Sequence, residues 1–257
     1  NRLDVARVLV IAPKRVAGTV WAEEAAKWSH TRNLRISKVL GSVQERIAAL
    51  RRPADIYVIN RENVPWLVER VGAKWPFDMV VIDELSSFKS PKTKRFRALR
   101  RVRPLIKRIV GLTGTPAPNG LIDLWSQIYL LDQGERLGKT LTGYRDRFFK
   151  PGRRNGHIVY EWIPKPGAEE RIHELLSDLC VSMRAEDWLE LPERVDVEAP
   201  VVLDAEAMMK YKQLEKDLLL PLEGDVVTAD TAGVLTNKLL QFANGAAYDT
   251  TRCVHGI

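Results

Sequence analysis

The sequence has 257 residues, of which 45% are hydrophobic and 28% charged, and its net charge is +7. This composition suits a globular chain with a sizeable core, excludes a disordered chain, and favours a polyanionic partner. The absence of an eighteen-residue apolar run excludes a membrane-spanning helix, while two cysteines and four scattered histidines argue against a Cys/His metal site and for a reducing, cytoplasmic compartment.

Strands and helices alternate over the first 132 residues. Short apolar runs, such as VLVIA before Pro13, predict buried strands at 8–12, 36–40, 55–59, 78–82 and 108–112. Apolar residues at helical spacing predict helices at 17–28, 43–50, 61–71, 91–103 and 120–131. Ser90 and Pro91 are read as the start of the fourth helix, which Pro104 closes. This alternation predicts an α/β fold, a parallel sheet with helices on both faces.

From about residue 133 the pattern becomes mainly helical. Helices are predicted at 143–150, 168–179, 207–218 and 228–242, and Asn155-Gly156 predicts a hairpin turn. Alternating apolar residues over 195–203 predict a half-buried strand. We therefore expect an α/β domain over 1–132 and a mainly helical appendage with a β-hairpin over 133–257. The chain lacks an initial methionine and reaches a strand within a few residues, which predicts a longer parent protein.

Polar side chains cluster where the predicted strands end. In a parallel sheet the carboxyl ends of the strands meet at one edge, and ligands bind there. The residues at these ends predict a site: Lys14, Arg15, Asn60, Arg61, Asp83, Glu84, Thr113 and Thr115.

The strongest element of this site is the acidic pair Asp83-Glu84 after an apolar strand. Such a pair suits nucleotide hydrolysis, because the first carboxylate can hold Mg²⁺ and the second can orient or deprotonate the attacking water. The alternative is a strand that ends in solvated acids.

The second element is Thr113-Gly114-Thr115, after the next strand. Its two hydroxyls can donate to a phosphate or a carboxylate, and its glycine permits a close backbone approach. The alternative is an ordinary strand-to-helix turn with threonine caps. The two elements, about thirty residues apart, are more specific together than either alone.

The helix predicted over 91–103 is strongly basic. No acidic residue occurs from Leu85 to Ile122, and this stretch contains Lys89, Lys92, Lys94, Arg95, Arg97, Arg100, Arg101, Arg103, Lys107 and Arg108. Such segregation favours nucleic acid as the partner. The alternative is a solvated helix that packs on the sheet through Phe96, Leu99 and Val102.

Two further patterns have simpler explanations. Residues 134–140, GERLGKT, look like a phosphate loop, but the glycines are one residue too close and no buried strand precedes them. We interpret this segment as a connecting loop. Trp21, Trp28 and Trp125 lie on apolar helical faces, which favours core packing over base stacking.

Several segments together resemble one known family. DELSSFKSP, from Asp83, resembles the DEAH-like motif II of Swi/Snf-type ATPases, the double-stranded-DNA translocases of helicase superfamily two. LTGTP, from Leu112, resembles motif III with its following helix, and VLVIAPK resembles motif Ia. DIYVINRE occupies the place of motif Ib. The segment around 184–203 and QFAN, from Gln241, resemble the connection between the two motor lobes.

The sequence departs from the family pattern in two places, in motif II and in motif Ib. Leu85 and Ser86 stand where the family usually has Ala and His, and Asn60 and Arg61 replace a usual Thr-Tyr. The first departure leaves the roles of the two carboxylates intact and puts coupling through the histidine in doubt.

The resemblance implies a RecA-like lobe from a motor that hydrolyses ATP with Mg²⁺ and moves along double-stranded DNA. It implies Asp83 as the metal ligand, Glu84 as the water-activating group, and Thr113, Gly114 and Thr115 as the coupling element. The residues that it implies for DNA backbone contacts are Lys14, Arg15, Asn60, Arg61 and Lys89. A protein partner could bind the helical appendage.

The family also needs a GxxxxGK[ST] loop before motif Ia, and the sequence contains none there. We therefore expect this chain alone to be inactive. Two alternatives stay open: a non-catalytic nucleic-acid-binding module with a degenerate motor fold, and another superfamily-two helicase. The compartment is expected to be cytoplasmic in a bacterial or phage setting, or nuclear in a eukaryote.

Overall fold

The computed structural model describes residues 5–117, 120–156, 158–183, 195–197, 200, 202–217, 219–222, 225–228, 232–248 and 254–256. The chain forms two compact units, Asn1–Met183 and Arg184–Ile257. No helix among these residues is long and apolar enough to cross a membrane.

The first unit contains a five-stranded parallel sheet. Its strands are β1 (Val8–Ala12), β2 (Ile36–Val39), β3 (Ile56–Asn60), β4 (Met79–Asp83) and β5 (Arg108–Leu112), in the order β2-β3-β1-β4-β5. All five predicted strands are confirmed. Continuous apolar runs predict them well because strands that are covered on both faces need apolar residues on both sides.

Helices connect the strands. They are α1 (Lys14–Gly18), α2 (Val20–Lys27), α3 (Val43–Arg51), α4 (Val64–Val71), α5 (Lys94–Val102) and α6 (Leu124–Asp132). Alternate strand residues pack on opposite faces, with Leu9 and Ile11 in the larger core and Val10 in the smaller one. The larger core takes residues from α3 to α6, and the smaller takes Ala17 of α1, so helices cover both faces.

Two helix predictions within the first 132 residues need correction. The helix predicted over 17–28 is divided at Thr19, whose φ of −128° is not helical, and Trp28 is 58% exposed instead of packed in the core. A glycine and a β-branched residue adjoin at this break, and both have low helix propensity. The basic helix begins at Lys94, not Pro91, because the Thr93 hydroxyl caps it by accepting from Phe96 N.

The compact unit continues beyond Asp132. It includes α7 (Leu141–Phe148), β6 (Phe149–Pro151), β7 (Arg154–Asn155), β8 (Ile158–Val159), β9 (Trp162–Pro164) and α8 (Ala168–Leu176). Pairing of β7 with β8 confirms the predicted hairpin. Buried Tyr144 and Ile172 belong to the same core as the sheet. A functional division at residue 132 stays a prediction.

The second unit contains two helices and two short hairpins among its described residues. These elements are α9 (Ala205–Asp217), β10 (Leu219–Leu222), β11 (Asp225–Thr228), α10 (Ala232–Ala243), β12 (Ala246–Tyr248) and β13 (Val254–Gly256). Leu214 and Phe242 pack together between the helices. Thr228, predicted as the first residue of the last helix, is instead the last residue of β11.

The strand predicted over 195–203 is wrong where the structure describes it. Residues 195–197 have no strand conformation, and Val195 and Val197 are exposed. Alternation of apolar residues forms a strand only when a neighbouring strand accepts its hydrogen bonds. In the segment that resembles the connection between the motor lobes, residues 184–194, with Arg184, Asp187, Leu191 and Pro192 of that resemblance, lie outside the described residues.

Arg103 ties the end of α5 to the end of α6. Arg103 as a residue is only 7% exposed, and its guanidinium donates to the carbonyl oxygens of Leu130, Leu131 and Ile106. Burial lowers the pKa of Arg103, and the nearby Asp132 opposes this shift. One cation therefore satisfies three backbone acceptors.

Replacing Arg103 by methionine should destabilise the chain by ~3–5 kcal/mol, because the substitution leaves buried carbonyl oxygens without donors. Urea unfolding of the 257-residue chain measures this effect. Arg101→Met, at an exposed position near the end of α5, is the matched control and should leave the midpoint unchanged. Equal midpoints for the two variants would contradict the role given to Arg103.

Candidate active site

The carboxyl ends of the strands bring the predicted site residues to one edge of the sheet. In the register, Ala12 lies opposite Asn60, and Asp83 lies opposite Leu112. The turns after β4 and β5 are therefore direct neighbours. The acidic pair and the threonine turn meet as expected.

The acidic turn is held in an uncommon backbone conformation. Glu84 is left-handed, with φ 61° and ψ 65°, which is unfavourable for a residue with a side chain. The 3-10 turn that follows, Leu85–Phe88, buries Leu85 and Phe88 in the core. Their burial fixes the turn, so the strain at Glu84 is compensated by packing.

The Glu84 carboxylate is oriented by two hydroxyl groups. Ser86 Oγ donates to Glu84 Oε1, and Thr113 Oγ1 donates to the same oxygen over 3.1 Å. Thr113 Oγ1 also accepts from Thr115 N at 3.3 Å. The two predicted elements are thus joined by a direct hydrogen bond, which leaves Glu84 Oε2 for another partner.

Asp83 has a partner that the sequence did not suggest. Trp21 Nε1 of α2 donates to Asp83 Oδ2 at 3.2 Å. Trp21 packs partly against the smaller core, as expected, and its indole N–H finds an acceptor at the same time. The indole therefore restrains the carboxylate at the edge of the sheet.

Helix α6 donates hydrogen bonds to the segments that follow both turns, through two buried polar side chains. Ser126 Oγ donates to the carbonyl oxygen of Lys89, after the acidic turn. Gln127 Nε2 donates to the carbonyl oxygen of Pro116 at 2.6 Å, after the threonine turn. Polar residues in an apolar helix need such partners when they are buried. Ser126 and Gln127, polar residues inside an otherwise apolar helical run, are the sequence signal for this support.

Leu85 and Gly111 fit together beneath the site. Leu85 is 4% exposed, and a Cβ added at Gly111 would lie 2.4 Å from Leu85 Cδ2. Such a distance is far inside van der Waals contact, so the leucine side chain occupies the space that a side chain at 111 would need. The bulky residue at 85 is accommodated by the glycine on the neighbouring strand.

Gly114 is different, because a Cβ there would meet no atom within 4 Å. Packing of the described residues does not demand glycine at this position. An open approach to the Thr113 turn suits a ligand that comes close to the backbone.

The donor set suits Mg²⁺. Asp83 and Glu84 supply hard carboxylate oxygens, and among the described residues no three His, Cys, Asp or Glu side chains form a cluster. Mg²⁺ is commonly held by one or two carboxylates, with water and phosphate oxygens as the remaining ligands. A cation that needs a full protein cage would not fit this edge.

The predicted nucleic-acid residues differ in their availability. Lys14 and Arg15 are exposed at the start of α1, directly after β1. Asn60 is only 8% exposed, donating to Glu62 Oε2 and accepting from Asn63 Nδ2. The structure therefore leaves the two basic residues free to meet a ligand, while the Asn60 amide is engaged internally.

The other two basic candidates have acidic partners. Arg61 pairs with Glu62 at 2.9 Å, and Lys89 Nζ lies 3.7 Å from Asp123 Oδ2. Both ion pairs are partly exposed, where such pairs are weak and exchangeable.

The glycine-rich segment 134–140 connects α6 to α7. Gly138 O accepts from Trp125 Nε1, Lys139 Nζ donates to Gln133 O, and Thr140 caps α7. Its lysine and one carbonyl are thus engaged within the loop region. The interpretation as a connecting loop is confirmed.

A family model described as SNF2-related domain matches residues 3–246. Protein p41 of Acyrthosiphon pisum secondary endosymbiont phage 1 is 41% identical over 246 residues, covering 93% of this chain. YwqA of Bacillus subtilis, by name an ATP-dependent helicase/translocase, is 28% identical over 225 residues, covering 81% of this chain.

The solved Swi2/Snf2 ATPase core of Sulfolobus solfataricus in complex with double-stranded DNA has a similar fold, with TM-score 0.56 and 22% identity over 94% of this chain. This chain spans 54% of the phage protein, 22% of YwqA and 47% of the archaeal core. It therefore corresponds to about half, or less, of the proteins that it matches.

Proposed function

Because this chain belongs to the SNF2-related domain family, we propose that its parent is an ATP-hydrolysing motor that moves along double-stranded DNA. The observation that carries the proposal is the hydrogen bond from Thr113 to Glu84, which joins the acidic turn to the threonine turn. The names of YwqA and of the archaeal core complex support the same activity and the same partner.

In this proposal the two carboxylates have separate roles. Asp83 would hold Mg²⁺, and the bound ion would neutralise charge on the phosphates of ATP. Glu84 orients the attacking water and accepts its proton, since one carboxylate oxygen is fixed by Ser86 and Thr113 while the other stays available. Trp21 keeps Asp83 in position.

Thr113 is the proposed coupling residue. Its hydroxyl bonds to Glu84, while its own turn leads through Pro116 to buried Gln127 of α6. A change of partner at this hydroxyl would therefore reach α6 through contacts that already exist. Ser86 stands where the family usually has histidine, and in this chain Thr113 joins the two turns by its direct hydrogen bond to Glu84.

We propose that the phosphate loop lies in another part of the parent. Val110 and Leu112 are exposed on β5, which is at an edge of the described sheet and next to the site. These apolar side chains suit cover by a further segment of the parent. The 257-residue chain alone should then show little hydrolysis.

Steady-state ATP hydrolysis by the full-length parent tests the proposal. Turnover should need Mg²⁺ and should increase when duplex DNA is added. A parent that binds duplex and hydrolyses no ATP would instead be the non-catalytic nucleic-acid-binding module. A parent that does neither would overturn both functions.

The DNA contacts should be strongly salt-dependent. Replacing both Lys14 and Arg15 by alanine should lower the slope of log affinity against log salt by about 2, because each phosphate contact contributes roughly 0.9. Fluorescence anisotropy of a labelled duplex bound by the parent measures the slope. The matched control replaces Arg51 and Arg52, two exposed arginines where the sheet's amino ends lie. Equal slopes for the two variants would show that Lys14 and Arg15 do not contact phosphate.

A further inference from the structure

One side of α5 presents a row of cations. Lys94, Arg97, Arg100 and Arg101 are exposed, while Phe96, Leu99 and Val102 are buried on the opposite side. We call these four exposed residues the outer face of α5. The basic helix therefore packs on the sheet through its apolar side, as the sequence suggested. This packing does not explain why the exposed side carries only cations.

This arrangement opposes the stability of the helix. Lys94 and Arg97, Arg97 and Arg100, and Arg97 and Arg101 are like charges at i,i+3 or i,i+4 spacing, where they repel. Lys94 is also the first helical residue, and the first turn has no acidic residue to favour the helix dipole. No acidic residue within 85–122 offsets the repulsion. A face that only maintained solubility would mix both signs.

Other cations in and just after α5 have structural partners, whereas the four residues of the outer face have no acidic partner among the described residues. Arg95 donates to the carbonyl oxygen of Ser87, and Arg103 holds the end of α6. Arg100 lies over the Tyr129 ring at 4.6 Å, and Arg97 donates to the carbonyl oxygen of Lys92. Within the described part of the chain, none of the four outer residues forms an ion pair. Two guanidiniums are thus held in place with their charge unneutralised.

The outer face also continues from the candidate active site. The chain leaves the acidic turn through Lys89 and Lys92, and α5 then runs from the carboxyl ends of the strands towards their amino ends. Lys94 and Arg101 are about 10 Å apart along the helix axis, a length that matches about three phosphates along one DNA strand. Spacing and sign together fit a nucleic-acid backbone.

We propose that the outer face of α5 binds the phosphate backbone of duplex DNA as a second contact, separate from Lys14 and Arg15 at the strand ends. The contact reads no sequence, because it consists of cations that meet phosphates. The inference rests on the proposed function only for the identity of the partner. It adds a surface that would hold the duplex along one side of the lobe.

The test is a triple substitution, Lys94→Gln, Arg97→Gln and Arg101→Gln, in the full-length parent. Arg100 is kept because it contacts Tyr129. Duplex affinity is measured by fluorescence anisotropy across a salt series, and the slope should fall by about 2 to 3. At low salt the affinity should fall at least tenfold. The melting temperature should stay the same or rise, because repulsion within α5 is removed.

The matched control replaces Arg32, Arg51 and Arg52 by glutamine, which removes the same charge from exposed positions elsewhere. If the α5 variant and this control have equal slopes, the outer face is only solvated and the inference is overturned. In that case a loss on replacing Lys14 and Arg15 would still support the proposed function. A wild-type parent with no salt-dependent duplex binding would instead overturn the proposed function itself.

Discussion

Glu84→Gln in the full-length parent should reduce ATP turnover by about 100-fold to 10,000-fold, the range that general-base groups contribute. Glutamine has the same shape and can still accept hydrogen bonds from Ser86 and Thr113. It cannot take a proton from water. ATP affinity and duplex affinity should therefore change little while hydrolysis is lost.

Hydrolysis rates at saturating ATP and duplex measure this effect, and equilibrium binding of a labelled nucleotide gives the affinity. Glu169→Gln, at the exposed start of α8, is the control for loss of one carboxylate at a distance. If Glu84→Gln retains turnover within a few-fold of the wild type, the water-activating group lies elsewhere.

The second large effect concerns the contact of Leu85 with Gly111. Gly111→Ala should destabilise the lobe by ~1–3 kcal/mol, because its Cβ enters the space held by Leu85. Leu85→Ala should cost about 2–5 kcal/mol through the cavity it leaves. In the double variant the new methyl group at 111 has room, so the combined loss should be smaller than the sum of the single losses.

Urea unfolding of all four chains gives the coupling energy of this cycle, and ATP turnover of the same parent variants shows whether the pair also positions Glu84. We expect Gly111→Ala to lower turnover and the double variant to recover part of it. Strictly additive losses in stability would mean that the two residues do not share space.

The sheet could be predicted because its strands are continuous apolar runs, and burial on both faces imposes that pattern. The site edge followed from topology, since Asp83 and Thr113 end neighbouring parallel strands. Periodicity could not predict the left-handed backbone at Glu84 or the space shared by Leu85 and Gly111. Both depend on contacts between residues that are distant along the chain.

The errors have local causes. The helix breaks between Gly18 and Val20 because Gly18 and Thr19 are adjacent and both have low helix propensity. This local preference outweighs the apolar spacing that predicts a single helix. Ser90-Pro91 looked like a helix start, yet Thr93 lies three residues before Phe96 and makes the capping bond. The position of Asn60 at a strand end predicts a ligand contact, but its amide bonds to Glu62 and Asn63.

Metal-directed cleavage of the full-length parent tests the central claim most directly. Fe²⁺ would replace Mg²⁺ in the presence of a non-hydrolysable ATP analogue, and peroxide with ascorbate would cut the chain next to the bound metal. We predict cuts at the turns of Asp83 and Thr113, both suppressed by excess Mg²⁺ and by Asp83→Asn. Cuts confined to other segments would contradict a nucleotide and metal site shared by these two turns.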